Sequence, residues 1–284
     1  MKTLSVLCVS IALYFALILP FTSYLRSKPI IEQIGYIPQG SVLTLLAADQ
    51  KQSLAAFLIV KVLVYFGSLV EMHQQNINIP TDYPGMSRIL HAAAKLDPYN
   101  MDCYYFAQAV LVWDVGQIKL ANDLLEYGML YRTWDWYLPF FAGFNYSYFL
   151  KDNEKAAFYY QKAAELSGQE LHVGLAGRFL YETGRTINAI AFLTAMEKTA
   201  RNESVKRNMK IRIEALRAIH AVETALETYH KTSSNNITSV EELVRLGHLR
   251  SIPVDPYGGK FFIDEGGRVR TTSNLAFGGS RLQQ

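Results

Sequence analysis

The residues best equipped for chemistry in this chain are six histidines and a run of oxygen-bearing side chains near the C-terminus, and neither set has a useful spacing. His73, His91, His172, His220, His230 and His248 are scattered. His220 and His230 flank one expected helix but stand ten residues apart, whereas two imidazoles sharing a metal from one helix face stand three or four apart. Asp255, Asp264, Glu265 and Ser273 are hard oxygen donors of the kind calcium takes, but they follow no recognisable ligand pattern. Asp255, set just before Pro256, reads as a turn former. There is no Gly-x-Ser-x-Gly, no P-loop, no His-Glu-x-x-His, and no dinucleotide-binding glycine pattern in a strand-turn-helix context. Cys8 and Cys103 are the only cysteines, and Cys8 lies in an apolar run, so neither a disulfide framework nor a cysteine-based metal site is available. The expectation is a protein that is not an enzyme, with no catalytic residues, no metal and no cofactor.

Composition narrows the class further. A chain of 284 residues is long enough for one or two domains with real cores, and a hydrophobic share of 50% argues against extensive disorder. The net charge of +3 is small and mixed in sign along most of the chain, so nucleic acid is not an expected partner. Arg201 to Arg217 holds six basic residues against Glu203 and Glu214, which reads as a solvated helix face.

The elements that must carry any function begin with Leu4 to Leu25, nearly all apolar, with Lys2 before it and Arg26 and Lys28 after it. At about 1.5 Å per residue this run spans a bilayer core. Phe21 to Ser27 has no small-x-small cleavage site, which favours an uncleaved signal-anchor over a removed signal peptide. Ala55 to Val70 is a second apolar run, of 16 residues and containing Lys61. That is short for a crossing, and a buried core helix is expected.

A repeat follows. Aligning Val115 to Ala121, Leu150 to Ala156 and Thr183 to Ala189 makes the alanines recur after 35 and then 33 residues. Leu125, Tyr160 and Leu193 stand four positions after them, and Ala109, Gly143 and Ala176-Gly177 mark small residues on the preceding helices, with a register offset of one. Asp152 to Leu166 carries the strongest unit, and Pro98 ends a helix that starts near Met86. This spacing and these residues resemble tetratricopeptide repeats over roughly 80–203. The resemblance implies a short right-handed α-solenoid whose groove takes a protein segment. Trp113, Asp114, Asn145, Tyr148, Arg178, Tyr181 and Glu182 fall on its groove-facing positions.

Beyond the repeats, Leu216, Ile219, Val222, Leu226 and Tyr229 recur every three or four residues, so Ile211 to Lys231 reads as an amphipathic helix. Thr238 or Ser239 can cap a short helix ending at Gly247, and Gly258-Gly259 and Asp264 to Gly267 turn the chain through a hairpin. The order helix, Ser239-Val-Glu-Glu-Leu-Val-Arg-Leu-Gly-His-Leu, Ile252-Pro-Val-Asp-Pro-Tyr-Gly, strands resembles the C-terminal half of bacterial pseudopilins and type IV pilin-like proteins. That resemblance implies an extracytoplasmic location. No pilin leader stands near residues 1–25, so filament assembly is not expected.

The expected fold is therefore mainly α: a transmembrane signal-anchor (1–28), a linker with an apolar helix packing on the repeats (29–79), a repeat solenoid (80–203), and a small α+β module of helix and antiparallel hairpin (204–284). The expected function is a scaffold or adaptor, single-pass in a bacterial inner membrane through residues 4–25, with its main part in the periplasm. A secretion, pilus or envelope-assembly system is the setting. A tethered holdase-type chaperone is the alternative.

Overall fold

Side-chain caps set the starts of several helices, with Asp82, Asn100, Asp152, Asn202 and Ser239 each accepting from a first-turn N–H. In the computed structural model, residues 2–27, 34, 35, 37, 38, 40–76, 81–113, 116–233, 237–273 and 275 are described. They are mainly helical, with one two-stranded antiparallel sheet. The chain divides into two compact units, Met1–Arg132 and Thr133–Gln284, so the division falls inside the stretch 80–203 and not at its ends.

In the first unit, α1 is Lys2–Ser27, α2 is Gly40–Ala47 and α3 is Lys51–Gln74. α4 is Tyr83–Leu96, α5 is Met101–Phe106 running into a π turn at Ala107–Val112, and α6 is Ile118–Tyr131. Asp82 caps α4 by accepting from the Gly85 N–H at 2.8 Å, and the helix stops at Leu96, two residues before Pro98. Met86, Ile89, Leu90 and Ala93 point into the core of this unit. Cys103 is buried there, its thiol donating to the Leu90 carbonyl at 3.1 Å, and burial pushes its pKa up to about 12. Such a thiol is inert. The π turn, which contains Ala109, adds a residue to the local repeat and displaces its register from the α-helical spacing of the later hairpins.

α3 corrects the expectation of a buried core helix. It runs for 24 residues, since nothing in Lys51 to Leu54 or Glu71 to Gln74 stops it before Asn76 takes a left-handed φ of 60°. Ala55, Leu58, Ile59, Val62 and Tyr65 are buried, α4 packs on this helix, and the Tyr65 hydroxyl accepts from the Asp82 N–H at 3.1 Å. The remaining face is apolar and open, with Phe57 62% and Val64 64% exposed. Among the described residues, Lys51–Gln74 is the helix whose length and apolarity suffice to cross a membrane, and it is internal; the shorter apolar stretch Val9–Tyr24 lies within α1.

In the second unit, α7 is Tyr137–Tyr148, α8 is Asn153–Ser167, α9 is Glu170–Glu182 and α10 is Thr186–Thr199. α11 is Glu203–Thr232, α12 is Val240–Arg245, and β1 (Phe261–Ile263) pairs antiparallel with β2 (Val269–Thr271) in register Phe262 opposite Arg270. From α7 to α11 each helix packs on the next. Small residues make this possible. A Cβ on Gly143 would sit 3.1 Å from the Tyr160 ring, and one on Gly177 would sit 3.0 Å from Leu193 Cδ1. The large residues four positions after the alanines thus fill the gap inside each hairpin. Tyr160 also reaches the following one, stacking on Phe179 at 5.3 Å between centroids.

α11 begins eight residues before the expected Ile211, because Asn202 Oδ1 caps it by accepting from the Ser204 N–H at 2.8 Å. Met209, Ile213, Leu216, Ile219, Val222, Leu226 and Tyr229 form its buried stripe. The hairpin forms over the expected residues, with Gly267 at φ 72° closing its turn.

Candidate binding groove

Two aromatic clusters grow from α7. On the inner side Trp136 and Phe140 lie 4.8 and 4.7 Å from the His172 ring, centroid to centroid. His172 is buried, Ser167 Oγ is 2.7 Å from its Nδ1, and burial lowers its pKa below the ordinary histidine value. On the outer side Phe144 stacks on Tyr148 at 5.4 Å, Phe149 meets both edge-on, and the Lys151 ammonium stands 5.2 Å from the Tyr148 centroid. Tyr148 remains 55% exposed. Next to it, Ser147 Oγ lies 3.2 Å from the Tyr160 hydroxyl. Burial raises the pKa of that phenol, while the Ser147 hydrogen bond and the positive charge of Arg178 pull it back. Ser147 and Arg178 therefore both act on one phenol, that of Tyr160.

The residues expected to line a groove separate into three groups. Tyr148 and Arg178 are exposed in the second unit, and Trp113 is exposed in the first. Asp114 lies outside the described residues. Asn145 is fully buried on α7 and is a core group, whereas the groove register aims it outward. Tyr181 and Glu182 form the third group, and the chain itself engages both.

β2 lies across the C-terminal end of α9. Tyr181, 4% exposed, donates its hydroxyl to the Val269 carbonyl at 2.9 Å, and Arg268 Nη2 donates to the Tyr181 carbonyl at 3.1 Å. Arg270 bridges Glu182 (Nη1 to Oε2, 2.7 Å) and Asp264 (Nε to Oδ2, 3.1 Å), with its guanidinium 5.6 Å from the Tyr181 ring centroid. Burial works against the Arg270 charge, but the two carboxylates outweigh it and raise its pKa further. The Asp264 carboxyl is held below its usual range, first by the Arg268 N–H and then by Arg270 against a desolvation that opposes them. A cavity of about 160 Å3 remains between Arg178, Glu182, Thr271 and Ser273.

Asp255 holds this hairpin in shape. Its Oδ1 accepts from the Tyr257 N–H at 2.8 Å, and Oδ2 accepts from the Thr271 and Ser273 hydroxyls at 2.5 Å each. A Cβ on Gly259 would fall 2.6 Å from Asp255 Oδ2 and from the Ser273 nitrogen, so only glycine fits there. The Asp-Pro-Tyr-Gly-Gly and Thr-Thr-Ser segments are thus one structural unit. Asp255 does form a turn, as its place before Pro256 suggests, and its side chain also ties that turn to the end of β2 and to Ser273 just beyond it.

Arg268 and Arg270, which hold β2 on α9, stand outside the groove positions expected from the repeat. Their alternation with Val269 was the available signal, since period two puts both on one strand face opposite a buried valine. A comparison with known protein families and with curated proteins finds no match for this chain.

Proposed function

We propose that this chain is a membrane-anchored, extracytoplasmic scaffold of a bacterial envelope system. In this reading α1 is the single span of the inner membrane, the main part faces the periplasm, and a tetratricopeptide-like solenoid captures a protein segment. The observation that carries it is the serial packing of α7 to α11 through the Gly143/Tyr160 and Gly177/Leu193 pairs, which is how helical hairpins stack when each unit buries its face on its neighbour. The exposed Tyr148 cluster, with the Lys151 ammonium over the Tyr148 ring, supplies aromatic area with a cation at its edge, a composition suited to protein recognition. The C-terminal module, which resembles pilin-like domains, supports the extracytoplasmic side. It serves as a cap on α9, and binding at Tyr181 and Glu182 would require its displacement.

A photo-crosslinking amino acid in place of Tyr148, incorporated in cells of the native host, tests this. One discrete adduct that disappears on Arg178→Glu is the expected result. A spread of unrelated adducts favours the holdase. No adduct with a folded protein removes the groove.

A further inference from the structure

The open face of α3 has a simple geometry. Ala56, Phe57, Val60, Leu63, Val64, Gly67 and Val70 are all exposed, and their spacing of three and four places them on a single stripe. From Phe57 to Val70 it runs about 20 Å along the axis. No charged residue interrupts it. Lys51, Gln52 and Ser53 bound it at one end and Glu71, His73 and Gln74 at the other. The opposite face of the same helix is also apolar but is covered by the protein core, so α3 is hydrophobic all round with half of its circumference bare. The neighbouring α2 adds exposed Val42, Leu45 and Leu46. A helix of this kind in water lacks a partner.

We propose that the α3 stripe rests in the lipid interface of the membrane that holds α1, as a second, in-plane contact; this rests on the reading of α1 as the anchor. Three observations select lipid as the occupant. Only 12 residues, 28–39, separate α1 from α2, so at about 3.5 Å per residue the first unit stays within about 40 Å of the bilayer. The stripe offers no hydrogen-bonding side chain at its centre. A protein partner would normally find about one hydrogen bond per 100–200 Å2, while acyl chains need none. Lys61, half-buried at the edge of the stripe, has the long stem that lets an ammonium reach headgroups while its methylenes stay apolar.

Full crossing by α3 is a poorer fit despite its length. Its covered face packs on α4, and α4 carries exposed Arg88 and Lys95, which a crossing would pull into hydrocarbon. Lying flat buries the stripe about 5–10 Å deep and leaves α4 in water.

The test uses the full chain with Cys8→Ser, leaving buried Cys103 in place, reconstituted in phosphatidylcholine–phosphatidylglycerol vesicles. Nitroxide labels go on Val60→Cys, Leu63→Cys, Gln52→Cys, Glu71→Cys and, for the anchor, Leu13→Cys. All five positions are exposed, so labelling leaves the core intact. Power saturation compares collision with oxygen, which concentrates in lipid, and with a water-soluble nickel chelate. Positions 60 and 63 should follow 13 in favouring oxygen, with 52 and 71 favouring nickel. Nickel access at 60 and 63 while 13 stays in lipid would overturn the in-plane contact and leave the anchor standing. Nickel access at 13 would remove the anchor and this proposal with it. Shielding of 60 and 63 from both reagents, with spin-spin broadening, would identify a second copy of the chain as the occupant and overturn the lipid assignment.

Discussion

Replacing Asp255 with alanine should release the C-terminal hairpin without unfolding the helices. The carboxylate is 4% exposed and accepts three hydrogen bonds, from the Tyr257 N–H and from the Thr271 and Ser273 hydroxyls. Bonds to a charged acceptor contribute about 1.5–3 kcal/mol each, but they share one network and do not add. Thr271 and Ser273 are half-buried, so their hydroxyls recover water when the carboxylate goes. A net loss of about 3 kcal/mol follows, a factor of roughly 150 in the opening equilibrium of the hairpin. Opening exposes Arg268 and Arg270, otherwise held against Tyr181 and Glu182. Trypsin acting on the native full chain in detergent micelles would report it, with cleavage after those two arginines timed by mass spectrometry; where reclosing outpaces cleavage, the rate follows the open population. Asp255→Asn, which keeps an oxygen for the Tyr257 N–H, should fall between wild type and alanine. A rate for Asp255→Ala within about threefold of wild type, less than 0.7 kcal/mol, would refute the reasoning.

Two further outcomes are expected. Gly177→Val should destabilise the second unit by about 1–3 kcal/mol through overpacking against Leu193; adding Leu193→Ala should recover part of the loss in urea unfolding followed by tryptophan fluorescence, and strict additivity would deny the contact. His172 has its folded pKa lowered by burial, so below the ordinary histidine value of about 6.5 the unfolded chain takes up the proton more readily. Its contribution is complete above about 6.5 and is lost as pH falls toward the folded value. Melting temperatures from pH 7.5 down to 5 should decline, and less steeply in His172→Leu; parallel slopes would assign the dependence to other groups.

Local pattern made much of the architecture legible. The alanines at 121, 156 and 189 stand early in α6, α8 and α10, and Tyr160 and Leu193 identify what the small residues of the facing helices pack against. The C-terminal hairpin was legible because Gly258-Gly259 and Asp264 to Gly267 encode turns directly. Two features were hidden for physical reasons. α3 looked short because an apolar run measures side-chain hydropathy, whereas the helix continues through polar formers at both ends. The groove residues were assigned from a period within the repeats, and a period carries no information about a distant strand; Tyr181 and Glu182 meet residues 268–270 across nearly ninety positions. Asn145 failed for a simpler reason, since a one-residue register difference converts a surface position on a helix into a core one.

The clasp of β2 on α9 also orders events during synthesis. Of the elements in the second unit, β2 is the last to leave the ribosome, yet it supplies the acceptor for the Tyr181 hydroxyl and the cation for Glu182. Until residue 270 has emerged, the preceding helices can stack but the end of α9 stays open. A nascent chain therefore carries an unfinished helix terminus from the completion of α9 until residue 270 has emerged, and a product cut short between α9 and β2 keeps that mark permanently, where a protease can read it.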